Sequence, residues 1–121
     1  MKTKLEIDLD LFGYLIEEID RTDNITNMEI AGMFEHDPFN MQWRFRFENG
    51  YGASVIKHWG SFGFEEDKFE LAVLWWNGLD HGLCYDTEIT DDVIGHLTNQ
   101  EVMDILRKIK ALNKEEQKDE N

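Results

Sequence analysis

A chain of 121 residues with 41% hydrophobic and 12% aromatic content can build one folded domain, burying roughly two-thirds of its unfolded surface. Its 12 basic and 26 acidic side chains leave a net charge of −14, a field that opposes phosphate backbones and anionic membranes and favours basic protein surfaces. No apolar run approaches the roughly 20 residues of a membrane span, the single cysteine, Cys84, excludes an internal disulfide, and the opening MKTKLEIDLD turns acidic too soon for a signal or transit peptide.

The acid is spread through the body of the chain. Residues 60–80 carry five acidic side chains against one basic, and 81–98 carry four against none. Only 41–59 (three basic against one acidic) and 99–112 (three against two) lean the other way. The segment LEIDLDL alternates like a strand, but Leu11, Leu15, Ile16 and Ile19 share one face of a helix. The preferred reading is a helix capped by Asp8 or Asp10 and running to about Arg21, with Gly13 as its weak point. Residues 25–40 hold the only proline, Pro38, and read as an irregular connection with a short strand at 28–33.

MQWRFRFE is the clearest strand. Met41, Trp43, Phe45 and Phe47 face one way, and Gln42, Arg44, Arg46 and Glu48 the other. A two-residue turn on Asn49-Gly50 would set Phe45 opposite Ser54 and break the apolar face. A three-residue loop, Glu48-Asn49-Gly50 with Gly50 left-handed, instead pairs Phe47 with Tyr51, Phe45 with Ala53 and Trp43 with Val55. The bulged loop is therefore expected. Arg44 and Arg46, with Lys57 nearby, are placed on the outer face; in so acidic a chain they are a poor nucleic-acid surface.

The next stretch, HWGSFGFEEDK, is a glycine-punctuated connection with exposed-looking Trp59, Phe62 and Phe64 and a solvated acidic run, Glu65, Glu66 and Asp67. FELAVLWW carries bulk on both faces, as a central strand does. LCYDT returns as a fourth strand, with Leu83 and Tyr85 inward and Cys84 read as a buried thiol. Trp59, Phe62, Phe64, Leu74 and Trp76 exceed what a one-faced sheet needs. They predict either a second small core or an exposed protein-binding or self-association patch.

YDTEITDDVIGHLT concentrates Asp86, Glu88, Asp91 and Asp92 beside His96. The spacing fails the calcium-loop pattern, and the chain has no paired zinc motif. It fits a short helical turn better, capped by Thr90, with Asp91 and Asp92 at its positive end and Gly95 stopping it. Leu97-Thr98-Asn99-Gln100-Glu101-Val102 then reads as a capping box with a hydrophobic staple. It opens a helix whose stripe is Val102, Ile105, Leu106, Ile109 and Leu112. Residues 113–121 have no apolar side chain and are expected to be a disordered acidic tail. The predicted architecture for 1–112 is a single α+β domain. It is a four-stranded antiparallel meander with an N-terminal and a C-terminal helix packed on one face.

From NGYGASV through ELAV to YDTEITDDVIG the chain resembles a group of small proteins encoded by bacteriophages and prophages, over about residues 48–112. In that group proline is common at the position of Glu88 and tryptophan at that of His96. The resemblance implies a phage or prophage origin and an α+β fold, and it transfers no catalytic residue.

No complete catalytic constellation or cofactor motif is present, so a non-enzymatic role without metal or cofactor is expected. Size, charge and resemblance together predict a phage accessory protein of the host cytoplasm. It binds and inhibits a host protein with a basic surface, with a nucleic-acid-handling defence enzyme (anti-CRISPR-like action) as a fitting target. The residues expected to meet the partner are Trp59, Phe62, Phe64, Glu65, Glu66, Asp67, Trp76, Asp91 and Asp92. One alternative is a self-associating structural or regulatory module, a homodimer through the tryptophan-rich face. The other is a small metal-dependent hydrolase using Asp86, Asp91, Asp92 and His96.

Overall fold

The computed structural model describes residues 2–22, 38–85, 87–90 and 92–113. In chain order these form a single helical turn α1 (Leu9–Phe12), strands β1 (Leu15–Asp20), β2 (Asn40–Arg46), β3 (Tyr51–His58), β4 (Phe69–Asn77), β5 (Asp80–Leu83) and β6 (Ile94–Leu97), and helix α2 (Asn99–Lys110). A 3-10 turn, Phe64–Glu66, lies between β3 and β4. The strands make one antiparallel sheet in the order β1-β2-β3-β4-β5, with β6 also paired to β4. Since β3 occupies one edge of β4, β5 and β6 share the other: β5 along residues 74–77 and β6 along 69–71. The class is α+β, as expected, with six strands among the described residues instead of four.

The first correction is at the N-terminus. The helix does begin after Asp8, but it ends at Phe12, and 15–20 is an edge strand. Helix propensity is a weak prior. Here the exposed edge of β2 offers backbone partners, and β-branched Ile16 and Ile19 suit a strand. Leu15 lies opposite Phe45 and joins the core, and a bulge then turns Glu17 outward to Arg44, 2.7 Å away. The strand expected at 28–33 and the tail beyond Asn113 lie outside the described residues.

The hairpin follows the face argument. Phe45 pairs with Ala53 and Trp43 with Val55; the Phe47 N–H donates to the Tyr51 carbonyl at 2.8 Å, and Gly50 has φ +90°. Asn49 has a second role the turn pattern does not announce. Its Nδ2 donates to the carbonyls of Ile109, Lys110 and Leu112 at 2.9, 3.1 and 3.0 Å, while its Oδ1 accepts the Tyr51 N–H. The loop thereby adds a side-chain donor to the carbonyls at the end of α2.

Helix α2 opens on the expected capping box: Thr98 accepts from the Glu101 N–H, and Glu101 accepts from the Thr98 N–H. Val102, Met103, Leu106 and Ile109 are buried against β3 and β4, over Trp43, Phe45, Val55, Leu71 and Val73. Each such side chain contributes about 1.5–3 kcal/mol through burial. Leu5 and Leu11 close the same core from the N-terminal segment, which Arg107 of α2 ties down through Asp8 and Asp10 at 2.5 and 2.9 Å.

Two more readings are corrected. Residues 94–97 are strand β6, not a helical turn stopped by Gly95. They complete the exposed edge of β4, and backbone pairing outweighs the weak local capping signal. Leu83 and Tyr85 are exposed, and the buried member of that stretch is Cys84, in the main core just past β5. No helix among the described residues is long and apolar enough to cross a membrane.

Candidate functional site

The connection from β3 to β4 is a loop held by its own hydrogen bonds. The Ser61 hydroxyl donates to the His58 carbonyl at 2.8 Å and accepts the His58 N–H. The Phe62 N–H donates to Glu70 at 2.9 Å, and the Phe62 carbonyl accepts the His96 N–H at 3.1 Å. The N–H groups of Glu66 and Lys68 both donate to the Gly63 carbonyl. Gly63 has φ +100°, and a Cβ there would lie 2.8 Å from the His96 Cα, so only glycine fits this crossing.

This frame holds two aromatics out. Trp59 is 46% exposed and Phe62 56%, whereas Phe64, expected outside, is buried at 4%. The Lys2 ammonium lies over the Phe64 ring, 4.5 Å from its centroid, and donates to its carbonyl. Trp59, Phe62, Phe64, Glu65, Glu66 and His96 line an open groove of about 420 Å³. His96 arrives from β6, where a register shift and its own φ of +57° mark a bulge. Bulges re-aim side chains, and here the imidazole meets Glu66, Nδ1 to Oε1 at 2.7 Å. The hydrogen bond from His96, helped by the charge of Lys68, holds the Glu66 carboxyl below the usual glutamate range.

Lys57 is on the inner face, with no exposed surface. Its ammonium lies 2.8 Å from the Thr3 carbonyl, 3.3 Å from the Thr3 hydroxyl, 3.1 Å from the Asp67 carbonyl and 2.7 Å from Asp67 Oδ1. It also sits 3.8 Å from the centroid of the Phe69 ring. Burial pulls its pKa down, and the bond to Asp67 only partly restores it. Asp67 is therefore not a solvated partner contact: besides Lys57 it accepts from the Thr3 N–H and hydroxyl at 2.8 and 3.0 Å.

The other expected contacts scatter. Trp76 is on the outer face of the sheet, where its indole N–H donates to the Phe45 carbonyl at 3.2 Å and its ring packs against His81 and the Arg46 guanidinium. Leu74 is buried. Asp92 accepts the N–H of Val93 at 2.7 Å and donates its own N–H to Thr90 Oγ1, so its carboxylate serves local backbone, as the capping reading held, but in a turn that is not helical. Asp86 and Asp91 lie outside the described residues. Among the described residues no three His, Cys, Asp or Glu side chains are placed to hold a metal ion.

Of the nine expected residues, four (Trp59, Phe62, Glu65 and Glu66) converge on the groove with accessible surface. His96 lines the groove as well and is not among those nine. No sequence signal couples it to Glu66, because the bulge that aims it exists only once β6 pairs with β4. Lys57 did carry a signal: the alternation Ala53, Val55, Lys57 in the expected register puts it inward, opposite Met41. The fold and groove define an α+β protein with an aromatic and acidic recess. No family model, curated protein or solved structure matches the chain.

Proposed function

We propose that the protein is a non-enzymatic, phage-encoded accessory protein of the host cytoplasm that binds a basic surface of a host protein and inhibits it. A nucleic-acid-handling defence enzyme, blocked in an anti-CRISPR-like manner, is the class of target that fits. The observation that carries this reading is the display of Trp59 and Phe62 beside Glu65 and Glu66 on a loop locked by its own hydrogen bonds. Exposed tryptophan on a rigid frame is the composition of an interface anchor, because little side-chain freedom is lost on docking. The net charge of −14 steers such an anchor to positive surfaces and away from nucleic acid itself.

On the tryptophan-rich face that self-association would use, Leu74 is buried and the Trp76 ring is engaged within the chain, which leaves Trp59 and Phe62 as its exposed members. The hydrolase alternative rested on Asp86, Asp91, Asp92 and His96; of these, His96 is engaged with Glu66 and Asp92 with the Val93 N–H, and Asp86 and Asp91 lie outside the described residues.

Capture from a bacterial host lysate over a salt series, read by mass spectrometry, tests the proposal. The expected result is a retained protein with a basic surface, released steeply as salt rises and losing its activity when the complex forms. Retention of nothing, or of a partner indifferent to salt and still active, overturns it.

A further inference from the structure

We infer that the groove between the β3–β4 loop and β6 receives one arginine side chain of the partner, its guanidinium stacked on Trp59 and Phe62 and its charge met by Glu65. This rests on the protein-binding reading above and adds the chemistry of the contact.

The charges around the groove decide the sign of the occupant. Glu66 already has two partners, His96 at 2.7 Å and Lys68 at 3.8 Å. Glu65 has none among the described residues and is exposed at the rim. The nearby cations already have partners other than Glu65: Lys2 on Phe64 and Lys68 on Glu66 at the groove wall, and Lys57 in the buried knot with Asp67. What remains is an unanswered carboxylate beside two partly exposed aromatic faces, a pairing complementary to a cation.

The shape selects the cation. At about 420 Å³ the recess is at the lower end of small-ligand sites, suited to one long side chain and too small to seat a helix. Arginine is flat, stacks on aromatic rings and is weakly hydrated, whereas lysine carries a compact, strongly hydrated charge. The chain makes the same kind of contact internally, with Arg46 over the Trp76 ring at 5.4 Å.

The test uses the full chain and three blocked tripeptides, glycine flanking arginine, lysine or citrulline, followed by nuclear magnetic resonance. Citrulline keeps the shape of arginine and removes the charge. The arginine peptide is expected to shift the Trp59 indole and the amides of Phe62 and Glu65. The citrulline peptide, and the Trp59→Ala and Glu65→Gln variants, bind about tenfold more weakly. Both substitutions are at exposed positions, and an unchanged melting temperature establishes that they fold. Equal response to arginine and citrulline, equal response to arginine and lysine, or shifts mapping to another face overturns the inference. If a captured host partner binds Trp59→Ala and Glu65→Gln as well as wild type, the arginine site fails while the protein-binding reading stands. If no partner is captured and the arginine peptide still shifts Trp59, the site stands and the inhibitor reading fails.

Discussion

The Lys57 ammonium, without any exposed surface, lies 2.7 Å from the carboxylate of Asp67 at the far end of the groove loop. Thr3 completes the knot with its carbonyl, its amide and its hydroxyl. Three distant parts of the chain are thereby fixed to one charge: the N-terminal segment, the end of β3 and the exit of the loop that presents Trp59 and Phe62. An isolated charge in that position is costly, so the knot is stable only as a complete set.

Replacing Lys57 with methionine leaves Asp67 without its cation and the Thr3 carbonyl without its donor. The expected loss is about 3 kcal/mol, at the low end for a buried pair because Asp67 keeps some contact with water. Urea denaturation measures it. Adding Asp67→Asn to Lys57→Met should cost much less than it does alone, since the two act as one unit.

The pH dependence has a definite sign. Burial pushes the Asp67 carboxyl up, but the hydrogen bonds from Lys57 and from the amide and hydroxyl of Thr3 together outweigh it and hold it below the usual aspartate value. Such a group binds fewer protons folded than unfolded. Its stabilisation is complete above about pH 4 and is lost as pH falls through the depressed value. Asp10, held down by Arg107, and Glu101, held down by the backbone and hydroxyl of Thr98, add to the same acid limb. Lys57 works at the other end. Burial lowers it, so stability rises with pH between its lowered value and the ordinary lysine value. Melting temperatures against pH should show a shallower acid limb in Asp67→Asn than in wild type; identical limbs would contradict the assignment.

Asn49 predicts a contrast between two small changes. Asn49→Ala removes three hydrogen bonds to the end of α2, at a cost of about 1–2 kcal/mol. Asn49→Asp removes the same donors and sets a negative charge against the negative end of the helix, so it should cost about 0.5–1 kcal/mol more. Equal stabilities by chemical denaturation would show that the carbonyl contacts contribute little.

Gly63→Ala tests the frame of the groove. The positive φ and the 2.8 Å approach to His96 together predict a loss of about 2 kcal/mol and a displaced β6 bulge. The His96 to Glu66 bond should weaken with it, visible as a changed imidazole resonance. A variant with native stability and an unchanged His96 signal would mean that the loop and β6 are not in contact.

Much of this was legible in the residues, and the misses have physical causes. The alternation in 41–47 gave the face of β2, and continuity of that face selected the bulged hairpin. The Thr98 and Glu101 box fixed the start of α2. Leu15, Ile16 and Ile19 suit a helix face or an edge strand equally, and the choice was made by the unpaired edge of β2, which no local pattern reports. Residues 94–97 followed the same logic at the edge of β4. The acidic run at 65–67 reads as uniform, yet its members diverge, with Glu65 outward, Glu66 on His96 and Asp67 inward on Lys57. That divergence comes from the left-handed Asp67, φ +60°, at the end of the 3-10 turn.

The central claim, that the Trp59 and Phe62 recess is where a basic partner binds, is tested most directly by one affinity comparison. The host protein captured by the wild-type chain is titrated against Trp59→Ala/Phe62→Ala by calorimetry, at matched melting temperatures. Anchors of this kind contribute about 2 kcal/mol or more each. The predicted result is a loss of affinity of at least about a hundredfold, and affinity within about twofold of wild type would contradict the account.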